Sequence, residues 1–205
     1  MNGSAPGKLV IISGPSGAGK STVVGRLLAE CDLPLELSVS ATTRQPRSGE
    51  VDGKDYHFLS RDQFLARRDN QEFLECQEVF DRGDYYGTLR STVTAGVNAG
   101  KWVVLEIDVE GAMTVIESHQ GAITIFLHPG SMAELERRLR ERDTDSDDSI
   151  ARRMEVARHE MTFKERYKFD VQNNTVDQAV ADVCSILKAQ LSATTMESPD
   201  RKSVV

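Results

Sequence analysis

The sequence predicts an α/β fold in which a parallel sheet is flanked by helices on both faces. Strand-like and helix-like segments alternate along most of the chain, which is typical of that class. A short apolar strand also leads directly into a glycine-rich turn and an amphipathic helix. The chain has 205 residues, of which 39% are hydrophobic and 28% charged. This length and composition suit one globular α/β core with small insertions.

In the first half of the chain, residues 9–12 form an apolar, β-branched strand, and the helix that follows begins at Thr22. Residues 35–39 alternate apolar and polar side chains, which indicates a half-buried strand. Residues 40–53 are rich in Thr, Arg, Pro and Gly and predict a loop. We then expect strands at 56–59, 73–79 and 85–87 and helices at 61–70 and 91–99. Because this middle stretch breaks the simple alternation, we predict an insertion with a second binding site.

In the second half, residues 101–107 and 122–127 are continuous apolar runs, as expected of strands buried on both faces. Helices are predicted at 112–118 and 132–142, and an acidic loop at 144–149. Ile150, Met154, Ala157 and Met161 recur at helical spacing. A last strand is expected at 169–171, and a final helix runs from Val176. Residues 192–205 lack apolar periodicity and predict a flexible tail.

The pattern Gly14-x-x-x-x-Gly19-Lys20-Ser21 lies between the first strand and the first helix. Glycines there allow backbone N–H groups to surround a phosphate, and the helix start adds a positive dipole end. Lys20 can reach the outer phosphates, and Ser21 can ligate Mg²⁺. The sequence therefore predicts a site for the phosphates of a nucleoside triphosphate, with Mg²⁺ as cofactor. The phosphates would bind at Gly14, Pro15, Ser16, Gly17, Ala18, Gly19, Lys20, Ser21 and Thr22.

Bulk properties exclude several other classes of protein. The net charge of −7 argues against a nucleic acid polymer as partner. The longest apolar runs are about five residues, so no membrane partner is expected. The N-terminus has no signal-peptide pattern, and the three scattered cysteines, Cys31, Cys76 and Cys184, predict unpaired thiols. We therefore expect a cytoplasmic location. The four histidines show no metal spacing.

Further motifs reveal a family resemblance. They are SATTRQPRSGEVDGKDYHF at 40–58, YYGT at 85–88, EIDVEGA at 106–112 and RLRERDTDSDDSIARRM at 138–154. Together with the glycine-rich loop, they resemble guanylate kinase over residues 9–191. The resemblance implies a P-loop nucleoside monophosphate kinase that phosphorylates GMP and dGMP with ATP. One domain would comprise a core (about 8–37, 95–127 and 169–191), a GMP-binding insertion (about 38–94) and a lid (about 128–168).

The resemblance also implies roles for individual residues, position by position. Four polar groups would hold the GMP phosphate together with Tyr86: Ser40, Arg44, Arg47 and Tyr56. Glu75, Thr88 and Asp108 would contact guanine. Three arginines would converge on the transferring phosphate as catalytic residues with Lys20: Arg138, Arg142 and Arg153. Asn173 would lie near adenine.

The chemistry of the residues agrees with these roles. Two guanidinium groups around Pro46 suit a phosphate, because each presents a fork of donors. Guanine presents N1–H and an exocyclic amine side by side, so one carboxylate can accept both. Adenine has an acceptor at N1, which would face a carboxylate oxygen. A site built from Glu75 and Asp108 should therefore prefer guanine.

Several alternatives stay open at the level of sequence. Asp108 follows a strand and could instead orient Mg²⁺ through water. Residues 134–148 could be a solvated helical face with i,i+4 charge pairs. Two extra residues within 76–84 leave Glu78 as a second candidate for guanine recognition. The chain could also be a non-catalytic protein-binding module of the same fold, or a kinase with a different acceptor. The sequence does not distinguish a monomer from a homo-oligomer.

Overall fold

The computed structural model describes residues 7–79, 83–141 and 147–196. In chain order its elements are β1 (Lys8–Ser13), α1 (Lys20–Glu30), β2 (Leu35–Leu37), β3 (Ala41–Thr42), β4 (His57–Phe58), α2 (Arg61–Asp69), β5 (Phe73–Val79), β6 (Asp84–Leu89), α3 (Arg90–Asn98), β7 (Trp102–Glu106), α4 (Val109–Ser118), β8 (Ile123–His128), α5 (Met132–Arg140), α6 (Asp147–Met161), a 3₁₀ turn (Lys164–Arg166), β9 (Phe169–Gln172) and α7 (Val176–Met196).

The central sheet has five parallel strands in the order β2-β7-β1-β8-β9. Side chains of β1 alternate between its two faces, as the strand period of two requires. Val10 and Ile12 pack into the apolar cluster that contains side chains of α1 and α7. Leu9 and Ile11 pack into the cluster on the other face, with side chains of α3 and α4. The predicted parallel sheet with helices on both faces is thus confirmed.

A second, four-stranded sheet lies in the chain between β2 and β7, with the strand order β4-β3-β6-β5. Its own small core consists of Ala41, Phe64, Phe73 and Leu89, and the rings of Phe64 and Phe73 stack at 4.4 Å. Helix α2 starts with a capping box, because the Ser60 side chain accepts from the Gln63 N–H and the Gln63 side chain accepts from the Ser60 N–H. This sheet is the part of the chain that the sequence predicts as an insertion.

Helices α5 and α6 pack against each other through a third cluster: Leu135, Leu139, Ile150, Met154 and Ala157. The predicted acidic loop at 144–149 is wrong from residue 147, where α6 begins. Asp147 and Asp148 occupy the first turn of α6, where the helix dipole favours negative charge. The stretch 142–146, which includes Arg142, lies outside the described residues.

Three further predictions need correction. Helix α7 continues to Met196, past the expected start of the tail at residue 192, and residues 197–205 are not described. Part of the expected loop forms strand β3. Cys31 and Cys184 form a disulfide bond instead of remaining unpaired thiols, whereas Cys76 is free. The disulfide joins the end of α1 to α7, and 153 residues of separation leave no local pattern that could reveal it. None of the described helices is long and apolar enough to cross a membrane.

Candidate active site

The glycine-rich loop connects β1 to α1 and has the backbone geometry of an anion cradle. Gly14 has φ +144°, and a Cβ there would lie 1.9 Å from the carbonyl oxygen of Leu127. Gly19 has φ +88° and precedes the first residue of α1 without a side chain that could cap the helix. The N–H groups of the first turn therefore remain available for a phosphate at the positive end of the helix.

Two side chains brace this loop. The Lys20 ammonium donates to the carbonyl oxygens of Gly14 at 2.7 Å and Pro15 at 3.2 Å. The Asn173 amide nitrogen is buried and donates to the Ala18 carbonyl at 2.7 Å. The structure thus places Asn173 directly against the phosphate loop, with its amide engaged in supporting it.

Ser21 and Glu106 meet at the end of β7. The Ser21 hydroxyl donates to Glu106 Oε1 at 2.5 Å. Mg²⁺ prefers oxygen ligands and often keeps several waters, binding through few protein groups and through substrate phosphates. A serine hydroxyl beside a carboxylate fits that chemistry. Among the described residues there is no group of three or more His, Cys, Asp or Glu side chains that could hold an ion without a phosphate.

A cavity of about 400 Å³ lies between the phosphate loop and the second sheet, and residues of α6 also border it. It brings together most of the site residues that the sequence predicts. These are Ser16, Gly17, Gly19, Lys20, Ser21, Thr22, Ser40, Arg47, Tyr56, Glu75, Tyr86, Asp108 and Arg153. One cleft therefore connects both predicted binding sites.

The remaining predicted residues do not line this cleft. They are Gly14, Pro15, Ala18, Arg44, Thr88, Arg138 and Asn173. Most of them support residues that line the cleft, whereas Arg138 lies away from it. It borders a second cavity together with Pro129, Ser131 and Gln172. Its guanidinium donates to Glu134 Oε1 and to the Asn173 carbonyl, both at 2.7 Å.

Glu75 is the buried carboxylate of the cleft, with 7% of the residue exposed. Its Oε1 accepts from the Thr88 hydroxyl at 2.6 Å. Burial raises the pKa of the Glu75 carboxyl to about 7, and the charge of Asp108 contributes to the rise, while the Thr88 bond opposes it. A Cβ on Gly111 would lie 2.8 Å from Glu75 Oε2, so α4 approaches Glu75 closely through a glycine.

Asp108 has a structural task besides its place in the cleft. It is the N-cap of α4, and its Oδ1 accepts from the Gly111 N–H at 2.8 Å. This bond fixes the carboxylate at the helix start. The structure thus brings Glu75 and Asp108 close together at the cleft, since both carboxylates approach Gly111.

Arg44 is held by Glu50, a partner that the sequence did not indicate. Its two terminal nitrogens donate to the two carboxylate oxygens of Glu50 at 3.0 and 2.8 Å, and its Nε donates to the Tyr86 hydroxyl at 3.1 Å. The bonds from Arg44 and from the Arg47 N–H lower the pKa of Glu50 to about 2. The Arg44 guanidinium also lies 5.4 Å from the ring centre of Tyr56. Arg44 therefore organises the tyrosines of the cleft.

Several residues of the site were not predicted from the sequence, among them Glu50, Glu106, Gly111 and Glu160. Glu106 has a visible signal, because it is an acidic residue at the end of a buried strand. Glu50 and Gly111 lie within motifs but reveal their contacts only in the folded chain. Glu160 borders the cleft from α6 and has no local sequence signal.

Comparison with known proteins gives matches over most of the chain. The family model described as Guanylate kinase matches residues 6–190. A guanylate kinase of Rhodopirellula baltica is 57% identical over 190 residues, which cover 92% of this chain and 91% of that protein. A guanylate kinase of Caldanaerobacter subterraneus is 44% identical and covers 90% of this chain and 88% of its own length.

The chain belongs to the guanylate kinase family. The crystal structure of guanylate kinase from Anaplasma phagocytophilum superimposes with a TM-score of 0.75 at 33% identity, covering 91% of this chain and 87% of that one. A gluconokinase from Sinorhizobium meliloti, with a TM-score of 0.52 at 16% identity and coverage of 95% and 98%, shares the fold alone. Membership of the guanylate kinase family confirms the fold and the enzyme class predicted from the sequence.

Proposed function

We propose that this chain transfers the γ-phosphoryl group of ATP in line to GMP or dGMP, giving GDP or dGDP, in purine nucleotide metabolism. The observation that carries the proposal is the shared cleft. One side of the cleft is the phosphate loop with Lys20 and Ser21, and the other side is the second sheet with the buried carboxylate of Glu75. We expect neither a nucleic acid polymer nor a membrane as partner. The cytoplasmic location expected from unpaired thiols loses that support, because Cys31 and Cys184 form a disulfide.

The GMP phosphate would bind at the part of the cleft bordered by Ser40, Arg47, Tyr56 and Tyr86. These side chains supply hydroxyl donors and a guanidinium fork, which suit phosphate oxygens. Arg44 would act there with its charge and through Tyr86, because its terminal nitrogens are engaged by Glu50.

Guanine would bind against Glu75 and Asp108. Ionised Glu75 can accept the N1–H and the exocyclic amine of guanine, and Thr88 holds one of its oxygens in place. Adenine lacks that pair of donors and would leave a buried carboxylate unpaired, which is costly.

Phosphoryl transfer depends on positioning and charge neutralisation more than on covalent chemistry. Lys20 and Arg153 both border the cleft, and Arg142 would join them from the lid. The acceptor phosphate is already anionic, so no general base is needed. Mg²⁺ bound with ATP would add positive charge at the β- and γ-phosphates, held by Ser21 beside Glu106. Asn173 would lie near adenine, and Arg138 would join the arginines at the transferring phosphate, although its guanidinium is held by Glu134 and the Asn173 carbonyl in this structure.

A coupled assay with GMP, dGMP, AMP, CMP and UMP tests this function. We expect turnover with GMP and dGMP and strong rejection of AMP. Turnover with another nucleotide in preference to GMP would favour a kinase with a different acceptor. Absence of turnover with every acceptor, despite correct folding, would favour the non-catalytic protein-binding module.

A further inference from the structure

A second carboxylate, Glu160, lies half-buried in the cleft, and the proposed mechanism gives it no role. It belongs to the last turn of α6, which packs against α5 on the side of the ATP loop. The same cavity is bordered by Glu160, Ser16 and Lys20. An acidic side chain at this position is unexpected, because the loop is built to receive a polyanion.

The carboxylate of Glu160 faces the phosphate loop, where the backbone N–H of Ser16 favours its ionised form. Its Oε2 is buried and has no hydrogen-bond partner among the described residues. Buried oxygens without partners are uncommon in folded proteins and need an explanation. Here the carboxylate borders the phosphate cleft with an oxygen that no donor satisfies.

The charges around Glu160 are of both signs. Lys20 favours its ionised form, whereas Asp108 and Glu110 at the start of α4 disfavour it. Burial is the largest influence and raises the pKa of the Glu160 carboxyl to about 7. The other titratable or charged groups at this place are Glu106 and Arg153, which border the same cleft, and Tyr167, whose own pKa the charge of Glu160 helps to raise.

We propose that Glu160 is a proton-linked residue of the phosphate site, which binds a proton when the phosphates of ATP enter the loop beside it. This inference rests on the proposed function, because it requires ATP in that loop. An ionised carboxylate beside a triphosphate is repelled, and uptake of a proton on Oε2 removes the repulsion. The protonated Oε2 also becomes a donor that can hydrogen-bond a phosphate oxygen.

This repulsion determines how the affinity for MgATP changes with pH. Protonated Glu160 is compatible with ATP and ionised Glu160 opposes it. Affinity for MgATP should therefore fall as pH rises above about 7, by up to about tenfold per pH unit. At pH 8, binding should take up as much as about one proton per ATP.

Glu160→Gln separates this role from a merely structural one. The amide keeps an acceptor oxygen, and its nitrogen imitates the protonated Oε2. Glu155→Gln is the matched control, since Glu155 is an exposed glutamate on the same helix. If Glu160 only stabilised the loop, the Gln variant would leave proton uptake unchanged.

The experiment is calorimetric titration of the full chain with MgATP, without GMP, at pH 8 in two buffers of different ionisation enthalpy. Comparison between variants removes the protonation of ATP itself. We expect the wild type and Glu155→Gln to take up close to one proton more than Glu160→Gln. We also expect the affinity of Glu160→Gln to be nearly constant from pH 7 to pH 8.5.

Equal proton uptake in wild type and Glu160→Gln, with normal MgATP binding in both, would overturn this inference and leave the proposed function intact. Absence of MgATP binding to the folded wild type would overturn both. Loss of binding in Glu160→Gln alone would show that the ionised carboxylate is required, which also contradicts the proposal.

Discussion

The Thr88 hydroxyl donates a 2.6 Å hydrogen bond to Glu75 Oε1, and both residues are buried between adjacent antiparallel strands. The bond fixes one oxygen of the carboxylate and opposes the rise in its pKa. A buried carboxylate held this way is available for a ligand with two adjacent donors, which is the arrangement that guanine offers. We therefore expect base selection to depend on this pair of residues, one on each strand.

Glu75→Gln should erode the preference for GMP over AMP. The amide keeps one acceptor and presents donors to guanine's own donors, so the expected loss is roughly 1.5–3 kcal/mol in transition-state binding of GMP. The measurement is kcat/KM for GMP and AMP. Glu78→Gln is the control, because Glu78 is an exposed carboxylate on the same strand. If the Glu75 variant keeps the wild-type ratio of kcat/KM for GMP to kcat/KM for AMP and the Glu78 variant loses it, Glu78 and not Glu75 is the carboxylate that recognises guanine.

The pH dependence of GMP use should report Glu75. Its pKa is raised to about 7, so the carboxylate that accepts from guanine is lost as pH falls below 7. We expect kcat/KM for GMP to decline by up to about tenfold per unit below that pH. Burial of the charge also makes the unliganded fold less stable as pH rises from 4.5 to 7, because only the unfolded chain ionises readily there. A pH profile that is flat between 5.5 and 7.5 would contradict ionisation of Glu75 as the controlling step.

Lys20→Ala should abolish phosphoryl transfer and leave GMP affinity nearly unchanged. Lys20 belongs to the phosphate loop, whereas the proposed GMP contacts lie on the second sheet and its loops. Turnover and equilibrium binding of GMP are measured separately, with the exposed Lys101→Ala as control. A loss of GMP affinity as large as the loss of turnover would show that the two sites are not separate.

Arg153→Ala should lower kcat more than it raises KM for GMP. An arginine that meets charge developing on the transferring phosphate acts mainly in the transition state and can contribute ~10³-fold or more. We expect the same pattern for Arg142→Ala. The neighbouring Arg152 is exposed on the same helix, so Arg152→Ala is the control and should leave kcat within about twofold. An unchanged kcat in Arg153→Ala would show that this arginine does not act on the transferring phosphate.

Gly111→Ala should raise KM for GMP with a smaller effect on kcat. The added Cβ would lie 2.8 Å from Glu75 Oε2 and 3.3 Å from Asp108 Oδ1, so the guanine carboxylates must shift. Gly121→Ala is the matched control, because its Cβ would meet no atom within 4 Å. Steady-state kinetics of both variants provide the comparison. A KM for GMP unchanged by Gly111→Ala would mean that this close approach does not set the position of Glu75.

The phosphate loop was predictable because its parts are contiguous. Strand, glycine turn and helix follow one another between Lys8 and Glu30, and the spacing of Gly14, Gly19 and Lys20 expresses their geometry directly. The alternation of apolar runs likewise predicted the layered sheet, since burial on both faces requires such runs. The longer motifs identified the family and so named residues that lie far from the loop. These properties follow from the local sequence.

Tertiary structure alone decided the contacts between distant segments. Ser21 meets Glu106 across 85 positions, and the Cys31–Cys184 disulfide spans 153. Glu160 and Ser16 border the same cavity although 144 positions separate them. No periodicity encodes such pairs, because each depends on how strands and helices are arranged in space. Burial of Glu75 and of Glu160 raises the pKa of each carboxyl. Both shifts depend on the loss of solvent and on neighbouring charges that only the folded chain provides.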